Sequence, residues 1–105
     1  MISLLISLAL ATQAPSTFTN LGDGTKSCGT WLAQRKEDGW TAKVNAAWVD
    51  GFLTAVNELA TSNLTKGVDH EGRDTWIDNY CQAHPLDQLV DAAGALVDEL
   101  NRRKH

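Results

Sequence analysis

The segment Trp76-Ile77-Asp78-Asn79-Tyr80-Cys81-Gln82-Ala83-His84-Pro85, with its continuation to Leu100, constrains the chain more than any other stretch. Trp76, Ile77, Tyr80 and Cys81 fall at i, i+1, i+4 and i+5, so they share one helical face. Pro85 has no backbone donor and a preset φ, which suits the first position of a new helix. His84, directly before it, is pushed out of the helical region. The stretch predicts a helix end, a corner with almost no linker, and a second helix from Pro85 to about Arg103. Leu86, Leu89, Val90, Ala93, Leu96, Val97 and Leu100 give that second helix a heptad-like apolar face. Asp87 and Asp91 lie near its positive end and Arg102, Arg103 and Lys104 at its negative end, as the helix dipole favours.

Cys81 lies in this corner, and the chain has two cysteines, so Cys28 is its one possible intrachain partner. Whether they pair depends on the compartment. Residues 2–11 form an apolar run without a charge, too short to span a bilayer, ending in the small-x-small pattern Ala9-Leu10-Ala11. This predicts a secretion signal at residues 1–11, with cleavage after Ala14 as the alternative. No Lys or Arg precedes the run, which leaves room for a start upstream of Met1. The competing reading is a buried N-terminal helix or strand. Export favours one disulfide, whereas two reduced, buried thiols are the alternative in a reducing compartment. Removing the signal leaves fewer than 100 residues, a size at which burial alone gives a thin stability margin. A cross-link would help such a domain.

The rest of the chain reads as one helical domain over residues 27–105, preceded by a turn-rich, extended lead-in at 12–26 that Phe18 and Leu21 can anchor. Ser27 can cap a short helix to about Lys36, with Cys28, Trp31, Leu32 and Arg35 on one face and Gly39 as a left-handed stop. Thr41 can cap a longer helix to about Thr61. Its apolar stripe is Val44, Trp48, Phe52, Ala55, Val56 and Leu59. Gly51 lies on that stripe, where a close helix crossing or chance tolerance explains it. Residues 61–72 form the one substantial loop. The next helix begins at Asp74 or a neighbour. No strand candidate of comparable strength appears, so the expected fold is an all-α, compact four-helix bundle.

No convergent catalytic set is legible. Of the three histidines, His105 is the last residue and His84 is explained by the corner. His70, in Asp69-His70-Glu71, has acidic neighbours, but three adjacent residues cannot all face one ion, and no H-x3-H or C-x2-C spacing supports a metal. A solvated loop tip is the expected role. No glycine-rich phosphate loop precedes a helix, so neither metal nor cofactor is expected. A net charge of −4 argues against nucleic acid as a partner. Three of the four tryptophans, Trp31, Trp48 and Trp76, fall on apolar helical faces and read as core. Trp40 can staple onto Val44, and is the one best placed for an interface.

The order of features resembles the Rap/Tai group of periplasmic immunity proteins. It runs Cys28-x-x-Trp31-Leu32, then Trp48-Val49-Asp50-Gly51-Phe52-Leu53, then Trp76-Ile77-x-x-Tyr80-Cys81-x-x-x-Pro85-Leu86, then an Ala-rich helix ending Leu96-Val97-x-Glu99-Leu100. That group protects bacteria against toxins delivered by type VI secretion, and its fold is similar to that of the HdeA acid-stress chaperones. The resemblance covers about Cys28 to Leu100. It implies a Cys28–Cys81 disulfide, a periplasmic location, a homodimer and a non-catalytic function. That function is to bind a cognate cell-wall-degrading effector, an amidase being the expected kind. The alternative is an HdeA-like acid-stress chaperone. No membrane insertion is expected after signal cleavage. No binding residue carries over from the group. On physical grounds the long polar loop, with Asn63, Lys66, Asp69, His70 and Glu71, is the candidate partner-binding segment, and a plain connector is its alternative.

Overall fold

A computed structural model describes residues 19–104; the expected signal, Phe18 and His105 lie outside the described residues. The domain is all-α. A 3-10 turn at Gly22–Thr25 is followed by four helices, α1 (Cys28–Glu37), α2 (Trp40–Leu59), α3 (His70–Ala83) and α4 (Leu89–Lys104). One isolated bridge, Ser27 to Gln88, is the sole extended pairing among the described residues. Helix α1 packs against the other three, and α4 does the same for α1, α2 and α3. The core takes Cys28 and Trp31 from α1, Val49 and Leu53 from α2, Ile77 and Cys81 from α3, and Leu89, Ala92, Leu96 and Leu100 from α4. Fully burying an aromatic of Trp31's size contributes roughly 4 kcal/mol before entropy is counted.

The Cys28–Cys81 disulfide is present, with the two Cα atoms 4.8 Å apart and both residues fully buried. It ties α1 to α3 beside the corner, and the corner has a second task. The first backbone N–H groups of a helix have no partner within it. Here Cys28 N donates to Asp87 O (2.7 Å) and Gly29 N to Pro85 O (3.1 Å). Thr30 N donates to the Ser27 side chain (3.1 Å), and Leu89 N returns a bond to Lys26 O (2.8 Å). The corner therefore caps α1. This is why Pro85 does not open α4 as its preset φ predicts: residues 84–88 stay non-helical to offer those carbonyls, and α4 starts at Leu89. Leu86, expected in the core, is 94% exposed. Tyr80 Oη holds the corner from below by donating to Asp87 Oδ2 (2.6 Å).

Several local expectations shift. The left-handed stop of α1 is Asp38 (φ 55°), not Gly39, which instead occupies the cap position of α2. Trp40 is thus the first residue of α2, so the staple onto Val44 does not form in the expected register, and Thr41 is not the cap. The inward face of α2 is Ala42, Asn45, Ala46, Val49 and Leu53. That is about one residue, or 100°, round from the expected stripe. Trp48 and Phe52 are partly buried and stack at 5.6 Å, while Val44, Ala55 and Leu59 face out. Gly51 meets no neighbour, so no helix crosses it within the domain. Asn45 explains much of the rotation. It is fully buried, donates to Gln34 Oε1 (2.6 Å) and accepts from Lys26 Nζ (2.9 Å). A buried amide with its partners in place is tolerated where an unpaired one is not.

The lead-in is not wholly extended. Its 3-10 turn lies against α2, with Gly24 under the Trp48 indole, where a Cβ would overlap the ring. Leu21 anchors through its carbonyl, which accepts from Trp48 Nε1 (2.9 Å), and its side chain is exposed. No helix among the described residues is long and apolar enough to cross a membrane.

Candidate functional site

The connection between α2 and α3 spans residues 60–69, so it is shorter than expected. Asp69 is the cap of α3, accepting from Gly72 N (2.8 Å), and His70 and Glu71 form its first turn. The expected loop tip thus divides. Asn63 and Lys66 stay in the loop, whereas His70 and Glu71 belong to a helix.

The loop is well tied. Thr61 takes the left-handed conformation (φ 46°) after α2. Thr61 N bonds to Glu58 O (3.2 Å) and Ser62 N to Asn57 O (3.0 Å), the paired bonds that commonly close a helix with glycine at this position. A β-branched residue there is strained, by about 1 kcal/mol or more. Asn57 then reaches into the loop: Oδ1 accepts from Leu64 N (2.9 Å) and Nδ2 donates to Thr65 Oγ1 (3.1 Å). Leu64 and Val68 pack onto the core beneath it. Lys104 Nζ, from the last turn of α4, donates to Ser62 Oγ (2.9 Å). A depression of about 330 Å³ lies between this loop and the end of α4, lined by Asn63, Lys66, Gly67, Arg103 and Lys104 over Leu64, Val68 and Leu100.

His70 is not a free loop tip. It is half exposed, with Nε2 3.1 Å from Asp74 Oδ2 and Nδ1 3.8 Å from Asp50 Oδ2. Asp74 is only 2% exposed, and its Oδ1 has no hydrogen-bond partner among the described residues. Arg35 approaches Asp74 (3.9 Å) and makes a two-toothed pair with Asp78, Nη2 to Oδ2 at 2.7 Å and Nε to Oδ1 at 2.9 Å. Trp31 Nε1 donates to the same Asp78 oxygen (2.7 Å). Arg73 bonds Asp50 Oδ1 (3.1 Å) and Val68 O (3.0 Å). This cluster links α2 to α3, whose backbones make little contact, beside the core that both helices enter. Burial raises the Asp74 carboxyl above its ordinary value, against the pull of His70 and Arg35. The bond to Asp78, more than the carboxylate charges of Asp78, Asp74 and Glu71, raises the Arg35 guanidinium further. At the corner, the Asp87 carboxylate pushes Tyr80 up to about 12, chiefly through their hydrogen bond.

Sequence reasoning missed this cluster, although a signal existed. Arg35 lies on the same face as Cys28, Trp31 and Leu32, and Asp74 lies three residues before Ile77 on the inward face of α3. A charge on an apolar face implies a buried partner of opposite sign.

Trp40 is 78% exposed, as its position suggested. It stands at the opposite end of α2 from the loop, about 28 Å along a helix of that length. The structure therefore does not bring Trp40 together with Asn63 and Lys66. An open, mainly apolar groove lined by Phe52, Val56, Tyr80, Val90 and Val97 lies between α2 and α4. No set of three or more His, Cys, Asp or Glu among the described residues is arranged to hold a metal ion. Comparison with family models, with curated proteins and with solved structures finds no match to this chain.

Proposed function

We propose that this protein is an exported immunity protein that binds a cognate type VI secretion effector, a cell-wall-degrading amidase, and blocks it without catalysis. The observation that carries the proposal is the corner. In the Tyr80-Cys81-x-x-x-Pro85-Leu86 motif Cys81 carries the disulfide, Tyr80 Oη donates to Asp87, and Pro85 supplies one of the two carbonyls that cap α1, the other coming from Asp87 just beyond it. Tyr80, Cys81 and Pro85, which carry the corner part of the Rap/Tai resemblance, thus brace the architecture, whereas Leu86 and Gly51 of the same resemblance stand free of it. The disulfide favours an oxidising compartment, here the periplasm. A small cross-linked bundle holding a tied loop between two helices suits recognition of a protein surface. The same resemblance carries a homodimer into the proposal.

The test is to co-express the exported chain with effectors encoded beside it, scoring lysis, and to measure binding of the purified pair. Protection with a stable complex at neutral pH is the expected result. Absence of both for every neighbouring effector sinks the proposal. Suppression of client aggregation near about pH 2, where carboxylates are neutralised, would replace it with the acid-chaperone reading.

A further inference from the structure

We infer that the basic pole formed by Lys66 of the loop with Arg103 and Lys104 of α4 is a docking surface for a carboxylate-bearing segment of a protein partner. The inference rests on the binding-module reading above and names the chemistry of the surface it would use.

The chain carries a net charge of −4, yet three of its nine cations line this one depression: Lys66, Arg103 and Lys104. Arg102 and Arg103 share one carboxylate, Glu99, and have 75% and 63% of their side chains exposed. Lys66 has no ion pair among the described residues, and the nearby Asp69 is committed to capping α3. Helix-dipole compensation accounts for cations at the end of α4. It does not account for Lys66, which comes from a different element and lines the same depression.

The surface is also pre-organised. Asn57 fixes the loop through two side-chain bonds, Lys104 is pinned to Ser62, and Arg103 lines both this depression and the adjoining one along Gly67, Val68, Asp69 and Gly72. Pre-ordering reduces the entropy lost on binding. The strained Thr61 at the start of the loop is the kind of cost retained where a loop must hold one shape. A protein segment suits this pole better than nucleic acid: Glu99, paired with Arg103, and Asp69, on the adjoining depression, offset part of the positive charge that a continuous phosphate chain needs, and no aromatic lines either depression for base stacking.

The test is titration of the 15N-labelled, disulfide-bonded protein with hexaglutamate at low ionic strength, followed by amide NMR shifts. Saturable shifts concentrated at residues 62–69 and 99–104 are expected. Lys66→Glu with Arg103→Glu should weaken binding roughly tenfold or more, and Lys36→Glu with Lys43→Glu should not. The neutral pair Lys66→Gln with Arg103→Gln, expected to weaken binding in the same direction, keeps the test valid if charge reversal perturbs folding. Shifts centred elsewhere, equal losses from both pairs of reversals, or tighter binding of a single-stranded oligonucleotide at the same place would each overturn the inference. Two outcomes separate it from the immunity proposal. An effector bound equally by wild type and by the Lys66/Arg103 variant removes this surface and leaves immunity standing. Hexaglutamate seated here, with no neighbouring effector bound, does the reverse.

Discussion

Removing the disulfide is the perturbation with the largest expected effect. Cys28 and Cys81 are 53 residues apart, so the bond closes a loop over more than half of the described chain. In the chain-entropy account, a loop of that length lowers the entropy of the unfolded state by about 14 cal/mol/K, or about 4 kcal/mol at 25 °C. A domain of this size holds ~5–10 kcal/mol in total, so the bond supplies a large share of its stability. The Cys28→Ala/Cys81→Ala variant, compared with the oxidised protein by urea unfolding, should show a midpoint lower by about 3–4 M for a slope near ~1 kcal/mol per molar. The melting temperature should fall by roughly 15–30 °C. Reducing the wild-type bond should reproduce most of the loss, because loop closure rather than sulfur packing is its origin. A midpoint unchanged on reduction, with free thiols verified by mass spectrometry, would refute the reasoning.

Four further outcomes can be measured on the same protein. Asp74 has a raised carboxyl, so its folded-state charge is penalised: stability is fully present below the ordinary carboxylate range and is lost as pH rises through the folded value. Asp74→Asn should therefore gain on wild type with rising pH in paired urea titrations, and a constant difference would contradict this. Tyr80 ionises at about 12 in the folded chain against 10.0 ordinarily, so wild type should lose stability between those values while Tyr80→Phe declines less; identical alkaline limbs would count against the bond to Asp87. Asn57→Ala should cost about 1–2 kcal/mol and speed hydrogen exchange at the Leu64 amide, whose acceptor it removes. Thr61→Gly should stabilise by up to about 1 kcal/mol through relief of the left-handed strain, net of added unfolded-state entropy, and a loss of stability would show that no such strain exists.

What the sequence determined by itself is what local periodicity and covalent chemistry can express. Cys28, Trp31, Ile77, Cys81 and the Leu89, Leu96 and Leu100 face were legible because amphipathic spacing alone places them inward, and the two cysteines could pair only with each other. The all-α class followed from the same spacing. Only the tertiary structure decided the rest, because it depends on which groups meet across elements. Pro85 reads as a helix start until the unpartnered N–H groups of Cys28 and Gly29 arrive to claim the carbonyls of the corner. The face of α2 was misread by one residue because a buried amide, Asn45, outweighed apolar contrast once Gln34 and Lys26 came within reach. The basic pole needed Lys66 to meet Arg103 and Lys104, some 37 residues further on, and the Asp74 cluster needed charges from α1, α2 and α3. Periodicity reports which side of an element is buried. It cannot report the partner waiting there, and for polar and charged residues the partner sets the free energy.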